Sequence, residues 1–123
     1  MALDVRYKKL PNYLLVMVHG KWEELDVKEE IEALREEADK AGITRLLLDV
    51  RNMLPPDSQM TRLATGGHIA KVLTRPFRVV ALAEPEMIDG LTENSAVSQG
   101  ATFKVFSDTQ AAIEWLNDGT EGV

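Results

Sequence analysis

Apolar residues fall along this chain in two alternating patterns. Asn12 to His19 (NYLLVMVH) is a continuous apolar run, too short for a typical helix and bounded by Pro11 and Gly20, which predicts a buried strand. Pro11 and Asn12 are turn residues, so Val5 to Leu10 is expected to pair with that strand as an antiparallel hairpin, its first strand at an edge. From Glu24 to Ala41 the period changes. Val27, Ile31, Leu34, Ala38 and Ala41 recur at spacings of three and four among Glu and Asp, the pattern of an amphipathic helix. Gly42 is placed to end it, and Lys40 complements its negative pole. Thr44 to Val50 (TRLLLDV) is apolar again with Asp49 near its end, as in a buried parallel strand.

The alternation continues. Pro55-Pro56 breaks the chain, and Asp57-Ser58 offers an N-cap for a helix with an apolar stripe of Met60, Leu63, Ala64, Gly67, Ala70 and Leu73. Thr74-Arg75-Pro76 ends that helix, and Phe77 to Ala83 (FRVVALA) predicts another buried strand. Pro85 suits the start of a third helix over Glu86 to Gln99, with Met87, Leu91 and Val97 inward. Thr102 to Phe106 reads as a short strand. Ser107 with Gln110 forms a capping-box signature for a last helix through Ala111, Ala112, Trp115 and Leu116. The expected fold is α/β: a mostly parallel sheet of about five strands with an antiparallel edge strand, flanked by about four helices. Residues 1–117 form one domain, and 118–123 a polar, glycine-rich frayed tail.

The 123 residues suit a single core, and no window approaches the roughly 20 apolar residues of a membrane span. The amino terminus lacks the apolar run of a signal peptide, and the absence of cysteine suits a cytoplasmic protein. A net charge of -6 repels phosphate backbones, so nucleic acid is not an expected partner.

Three stretches, LLVMVHG, LLLDVRNMLPPDS and FKVFSDTQAAIEWL, together resemble the SpoIIAA-like group of the STAS superfamily, over roughly Tyr13 to Leu116. The last looks especially like small stand-alone members. The resemblance implies the fold above and a role like that of anti-sigma-factor antagonists. In such proteins a serine or threonine after an Asp-Ser pair, at the start of the second helix, is phosphorylated by a partner kinase. Here Asp57 and Ser58 occupy the pair and the acceptor position falls on Gln59, which cannot be phosphorylated. The superfamily fold is also related to CRAL-TRIO lipid-exchange domains, which brings in a nonpolar ligand by analogy.

In open α/β sheets the ligand crevice lies beyond the carboxyl ends of the strands. The candidate partner- or ligand-binding residues there are Asp49, Asn52, Met53, Leu54, Asp57, Ser58 and Glu84, with Gly66 in the following helix. Ser58 stands at a helix amino terminus, where free N–H groups favour an anion, although Asp57 or Ser58 also suits plain capping. Met53-Leu54-Pro55-Pro56 is an apolar loop that either tucks under the second helix or meets a partner. Gly66 and Gly67 interrupt a helix, which close packing or an approaching ligand would explain. Asp49 and Glu84 could pair as carboxylates at neighbouring strand ends. His19 and His68 lie in separate elements without metal-ligand spacing.

There is no P-loop, GxGxxG, GxSxG or metal cluster, so no catalytic residue, metal or cofactor is expected. The leading expectation is a non-catalytic binding or regulatory module with an unidentified protein partner. The alternative is a carrier of a small nonpolar or acyl ligand, held near Met53, Leu54, Gly66, Met87 and Leu91 in a cavity of roughly 300 Å³ or more. A homodimer is left open.

Overall fold

The computed structural model describes residues 3–118. Strand β1 (Asp4–Lys9) and strand β2 (Leu14–Lys21) form the hairpin, closed where the Leu10 N–H donates to the Tyr13 carbonyl. Helix α1 (Glu24–Ala41) has the predicted bounds, and Gly42 ends it in the left-handed conformation (φ 70°). The elements β3 (Arg45–Leu54), α2 (Gln59–Val72), β4 (Arg78–Leu82), α3 (Leu91–Ser98), β5 (Phe103–Phe106) and α4 (Thr109–Asp118) follow. The sheet runs β1-β2-β3-β4-β5, antiparallel at β1·β2 and parallel elsewhere. This is the expected α/β architecture.

The two faces are covered unequally. Ile31, Leu34 and Ala38 of α1, Ile69 and Leu73 beside α2, and Ala96 of α3 pack with Leu14, Val16, Leu46, Val79 and Phe103 in one core. The opposite face holds a smaller cluster in which Ala112 and Leu116 of α4 meet Leu47, Val80 and Leu82. Leu15 and Tyr13 are only partly covered there, because α4 packs on β3, β4 and β5.

Several local expectations are corrected. Strand β3 does not stop at Val50 but continues to Leu54, so Met53 and Leu54 are strand residues and not part of a loop. Asp49 pairs with Met17 while Asn52 pairs with His19, so β3 carries one extra residue, a bulge that lets the ladder resume to Lys21↔Leu54. The polar pair Arg51-Asn52 hid this, being exposed residues within an apolar pattern. Helix α2 is turned relative to the predicted stripe: Thr65, Gly66, Ile69 and Ala70 are buried, while Met60 and Leu63 face outward at 69% and 38% exposure. The third helix is split. A 3-10 turn at Pro85–Met87 precedes α3, Gly90 turns left-handed between them, and Val97 lies outside while Ala96 is buried. Asp108, not Ser107, caps α4, its carboxylate accepting from the Ala111 N–H at 2.8 Å. Asn117 and Asp118 belong to α4, and positions 119–123, the rest of the expected tail, lie outside the described residues.

Candidate functional site

In a doubly wound sheet, ligands bind where the strand order reverses and the loops diverge. This sheet adds its strands in consecutive order, so it has no such switch point. The carboxyl edge is instead built by the bulged end of β3, the start of α2 and the 3-10 turn. Ser58 is the N-cap of α2, its Oγ accepting from the Thr61 N–H at 3.3 Å. Asp57 receives Lys21 Nζ at 2.8 Å, and the same ammonium donates to the Pro55 carbonyl at 2.6 Å. Lys21 thereby ties the Pro55-Pro56 turn to β2.

The predicted residues divide between the two sides of the sheet. Asp49 shares its face with Leu47, on the α4 side, and binds Arg51 through both oxygens (3.0 and 2.9 Å). The Arg51 guanidinium beside it holds the Asp49 carboxyl below its usual range, against the opposing effect of burial. Arg51 also feels the charge of Glu84, so a cation stands where a carboxylate pair was expected. Glu84 is exposed and begins the 3-10 turn, its carbonyl accepting from the Met87 N–H. Asn52 is exposed opposite His19. Met53 turns to the helix side, and Leu54 stands 61% exposed at the strand end, its carbonyl accepting from the Trp22 N–H. Gly66 lies where α2 crosses α3: an added Cβ would fall 2.7 Å from Ser95 Cβ. It serves close packing.

At this end a half-open cavity of about 110 Å³ lies between α2, α3 and the ends of β3, β4 and β5. Trp22, Met53, Ile69, Met87, Phe103 and Val105 give it an apolar wall. Arg62 stands on that wall with its guanidinium 5.0 Å over the Trp22 ring, and Trp22 Nε1 donates to Thr65 Oγ1 at 3.0 Å. Thr65 in turn donates to the Thr61 carbonyl, so the indole, a threonine and the first turn of α2 hold one another in place. A smaller cavity of about 60 Å³ lies under α1 and shares Val27 and Met53 with the first.

Sequence reasoning found Met53 and Met87 but missed Trp22, Arg62, Thr65, Asp89 and Thr92. The signal that would have found Arg62 and Thr65 is the alternative stripe of α2, Arg62-Thr65-Gly66-Ile69-Leu73. Apolar character is spread almost evenly round this helix, so periodicity does not choose between the two stripes. Among the described residues no group of three or more His, Asp or Glu could hold a metal ion, and no helix is long and apolar enough to cross a membrane.

No protein-family model matches the chain, and neither does any curated protein sequence. Solved structures do, and they show a SpoIIAA-like α/β fold. One is an uncharacterised DUF3478-family protein with a SpoIIAA-like fold from Shewanella loihica, with 21% identity and a TM-score of 0.57 over 94% of each chain. An anti-sigma factor antagonist from Mycobacterium paratuberculosis superposes with a TM-score of 0.66 at 11% identity, over 95% of this chain and 96% of its own. The anti-sigma factor antagonist SpoIIAA in its unphosphorylated form gives 0.51 at 15% identity, over 99% and 100%. At these identities the likeness speaks for the fold.

Proposed function

We propose that this chain is a non-catalytic binding module that docks a protein partner through the surface around Leu54, Ser58, Met60 and Leu63. The observation that carries this reading is the exposure of large apolar side chains round the start of α2, with Leu54, Met60 and Leu63 joined by Ile88 beside the 3-10 turn. Burying a fully exposed side chain of this kind gains about 1.5–3 kcal/mol, and the fraction still exposed on these four is what a partner can cover and solvent cannot. The SpoIIAA-like fold, shared with anti-sigma factor antagonists, supports a regulatory role. Gln59 stands where the resemblance puts the phospho-acceptor, so docking is independent of a kinase acting at that position. Two of the carboxylates nearby are engaged, Asp49 by Arg51 and Asp57 by Lys21, which favours contact over proton transfer at this edge.

A photo-crosslinking residue at Met60, compared with one at Glu36 on the exposed face of α1, tests this in the native host. The expected result is a discrete protein adduct at Met60 that disappears when Leu54→Glu and Leu63→Glu are added. Adducts at Glu36 alone would move docking to the acidic helix and overturn the reading.

The apolar cavity favours a second reading, a carrier of a small nonpolar ligand. At about 110 Å³ it is smaller than the roughly 300 Å³ at which ordinary ligand sites begin, so it ranks second. Mass spectrometry of the chain sprayed under native conditions from its own host would reveal a retained small molecule, and consistently bare protein would count against it.

A further inference from the structure

The polar groups on the cavity wall are not equally satisfied. Thr65 is both donor and acceptor, and the Glu93 carboxylate accepts from the Val105 N–H at 2.8 Å. Thr92 Oγ1 is buried with no hydrogen-bond partner. Arg62 is also underused: its side chain is only 12% exposed, Nη1 donates to the Met87 carbonyl at 2.8 Å, and Nη2 meets only the Met87 sulfur at 4.0 Å. Sulfur is a weak acceptor, and buried polar groups ordinarily find better ones.

The Nε–Nη2 edge of a guanidinium takes a carboxylate through two parallel hydrogen bonds. Here that edge meets one carboxylate oxygen, Nε to Asp89 Oδ2 at 3.3 Å, and Nη2 has only the Met87 sulfur. Asp89 is 41% exposed and its other oxygen, Oδ1, accepts from the Leu91 N–H at 3.0 Å, so the carboxylate can stay on that turn while Oδ2 gives up its contact to a ligand or water. The Trp22 ring beneath Arg62 meanwhile holds the guanidinium in position, which reduces the ordering a ligand must impose.

Resting on the second reading above, we propose that the cavity takes a small carboxylic acid, its carboxylate forked onto Arg62 in place of Asp89 and its apolar tail among Trp22, Ile69, Met87 and Phe103. An engineered apolar cavity of about 150 Å³ holds benzene, so a tail of about five carbons suits the 110 Å³ here. One guanidinium with Asp89 and Glu93 close by favours a monoanion over a phosphate dianion.

Titrations of the full chain with hexanoate, 1-hexanol, hexan-1-amine and hexyl phosphate, read by NMR shifts of Met53, Ile69 and the Trp22 indole, test the proposal. Hexanoate should bind about tenfold more tightly than hexanol, with the amine weakest, as a charge-assisted fork requires. Asp89→Asn removes the competing carboxylate and should tighten hexanoate about fivefold. A merely structural Arg62–Asp89 pair gives no such gain. Arg62→Gln should abolish the preference for hexanoate over hexanol. Equal affinity for hexanoate and hexanol, tighter binding of hexyl phosphate, or no gain in Asp89→Asn would overturn the carboxylate assignment alone. No shift with any of the four would overturn the ligand reading of the cavity as well.

Discussion

A Cβ built on Gly66 would lie 2.5 Å from the carbonyl oxygen of Thr92, on the backbone of the neighbouring helix. Backbone cannot yield as a flexible side chain can. Gly66→Ala should therefore destabilise the fold by about 1–2 kcal/mol, an overpacking cost of up to ~3 kcal/mol less ~1 kcal/mol of helix propensity. At Gly67 the nearest atom is the Gln99 amide nitrogen at 3.2 Å, the far end of an exposed side chain that donates to Ser95 and need give by only a few tenths of an ångström. Gly67→Ala should be neutral or stabilising by up to about 1 kcal/mol. Urea midpoints of the two variants decide the matter, and equal midpoints would mean that α2 and α3 are not in close contact in solution.

The core predicts an order among strand residues. Val80 and Leu46 are fully buried, whereas Leu48 is half-buried beside the smaller cavity. Leu46→Ala should cost about 2–5 kcal/mol, and Leu48→Ala less, since its site is already incompletely packed. Denaturant unfolding in which Leu48→Ala proves the more damaging would contradict the packing described.

Asp49 links stability to pH. Its folded pKa is depressed, chiefly by the hydrogen bonds from Arg51, so the pair contributes stability above the unfolded value of about 4. That contribution is lost as pH falls through the folded value. Asp49→Asn should be less stable than the parent near neutral pH, by no more than about 1 kcal/mol for a pair partly open to solvent. The two stability curves should converge in acid. A gap that persists in acid would show that Asp49 acts through packing and not through its charge.

Ser58 caps α2 through a single bond to the Thr61 N–H. Ser58→Ala should cost about 0.5–2 kcal/mol and Ser58→Gly only a few tenths. Thermal unfolding resolves that difference, and equal losses would argue that the hydroxyl does not cap.

The strongly periodic elements were legible in the sequence because one physical cause wrote them. Helix α1 has a polar outer face against solvent and Ile31, Leu34 and Ala38 inward, so its bounds came out correctly. Strands β2 and β4 are apolar because helices cover them. The site was harder to read. Thr65 and Gly66 are buried by contact with Trp22 and α3, partners remote in the chain, and nothing local marks a threonine or a glycine as inward. Arg62 reads as a surface charge until the Trp22 ring is seen beneath it. The end of β3 is obscured because its bulge exposes Arg51 and Asn52 between the apolar run Leu46 to Leu48 and the half-buried Met53.

Strands enter this sheet in the order in which they occur in the chain. During synthesis each new strand therefore finds its neighbour already made, and no strand has to be inserted between two others. Pairings close short loops, which favours early assembly of the hairpin with α1 and β3. The exception is α4, which reaches back across the opposite face to Leu47, Val80 and Leu82. A chain halted before Thr109 would carry that apolar strip bare, so the second face of the sheet stays open to water until α4 has emerged and folded.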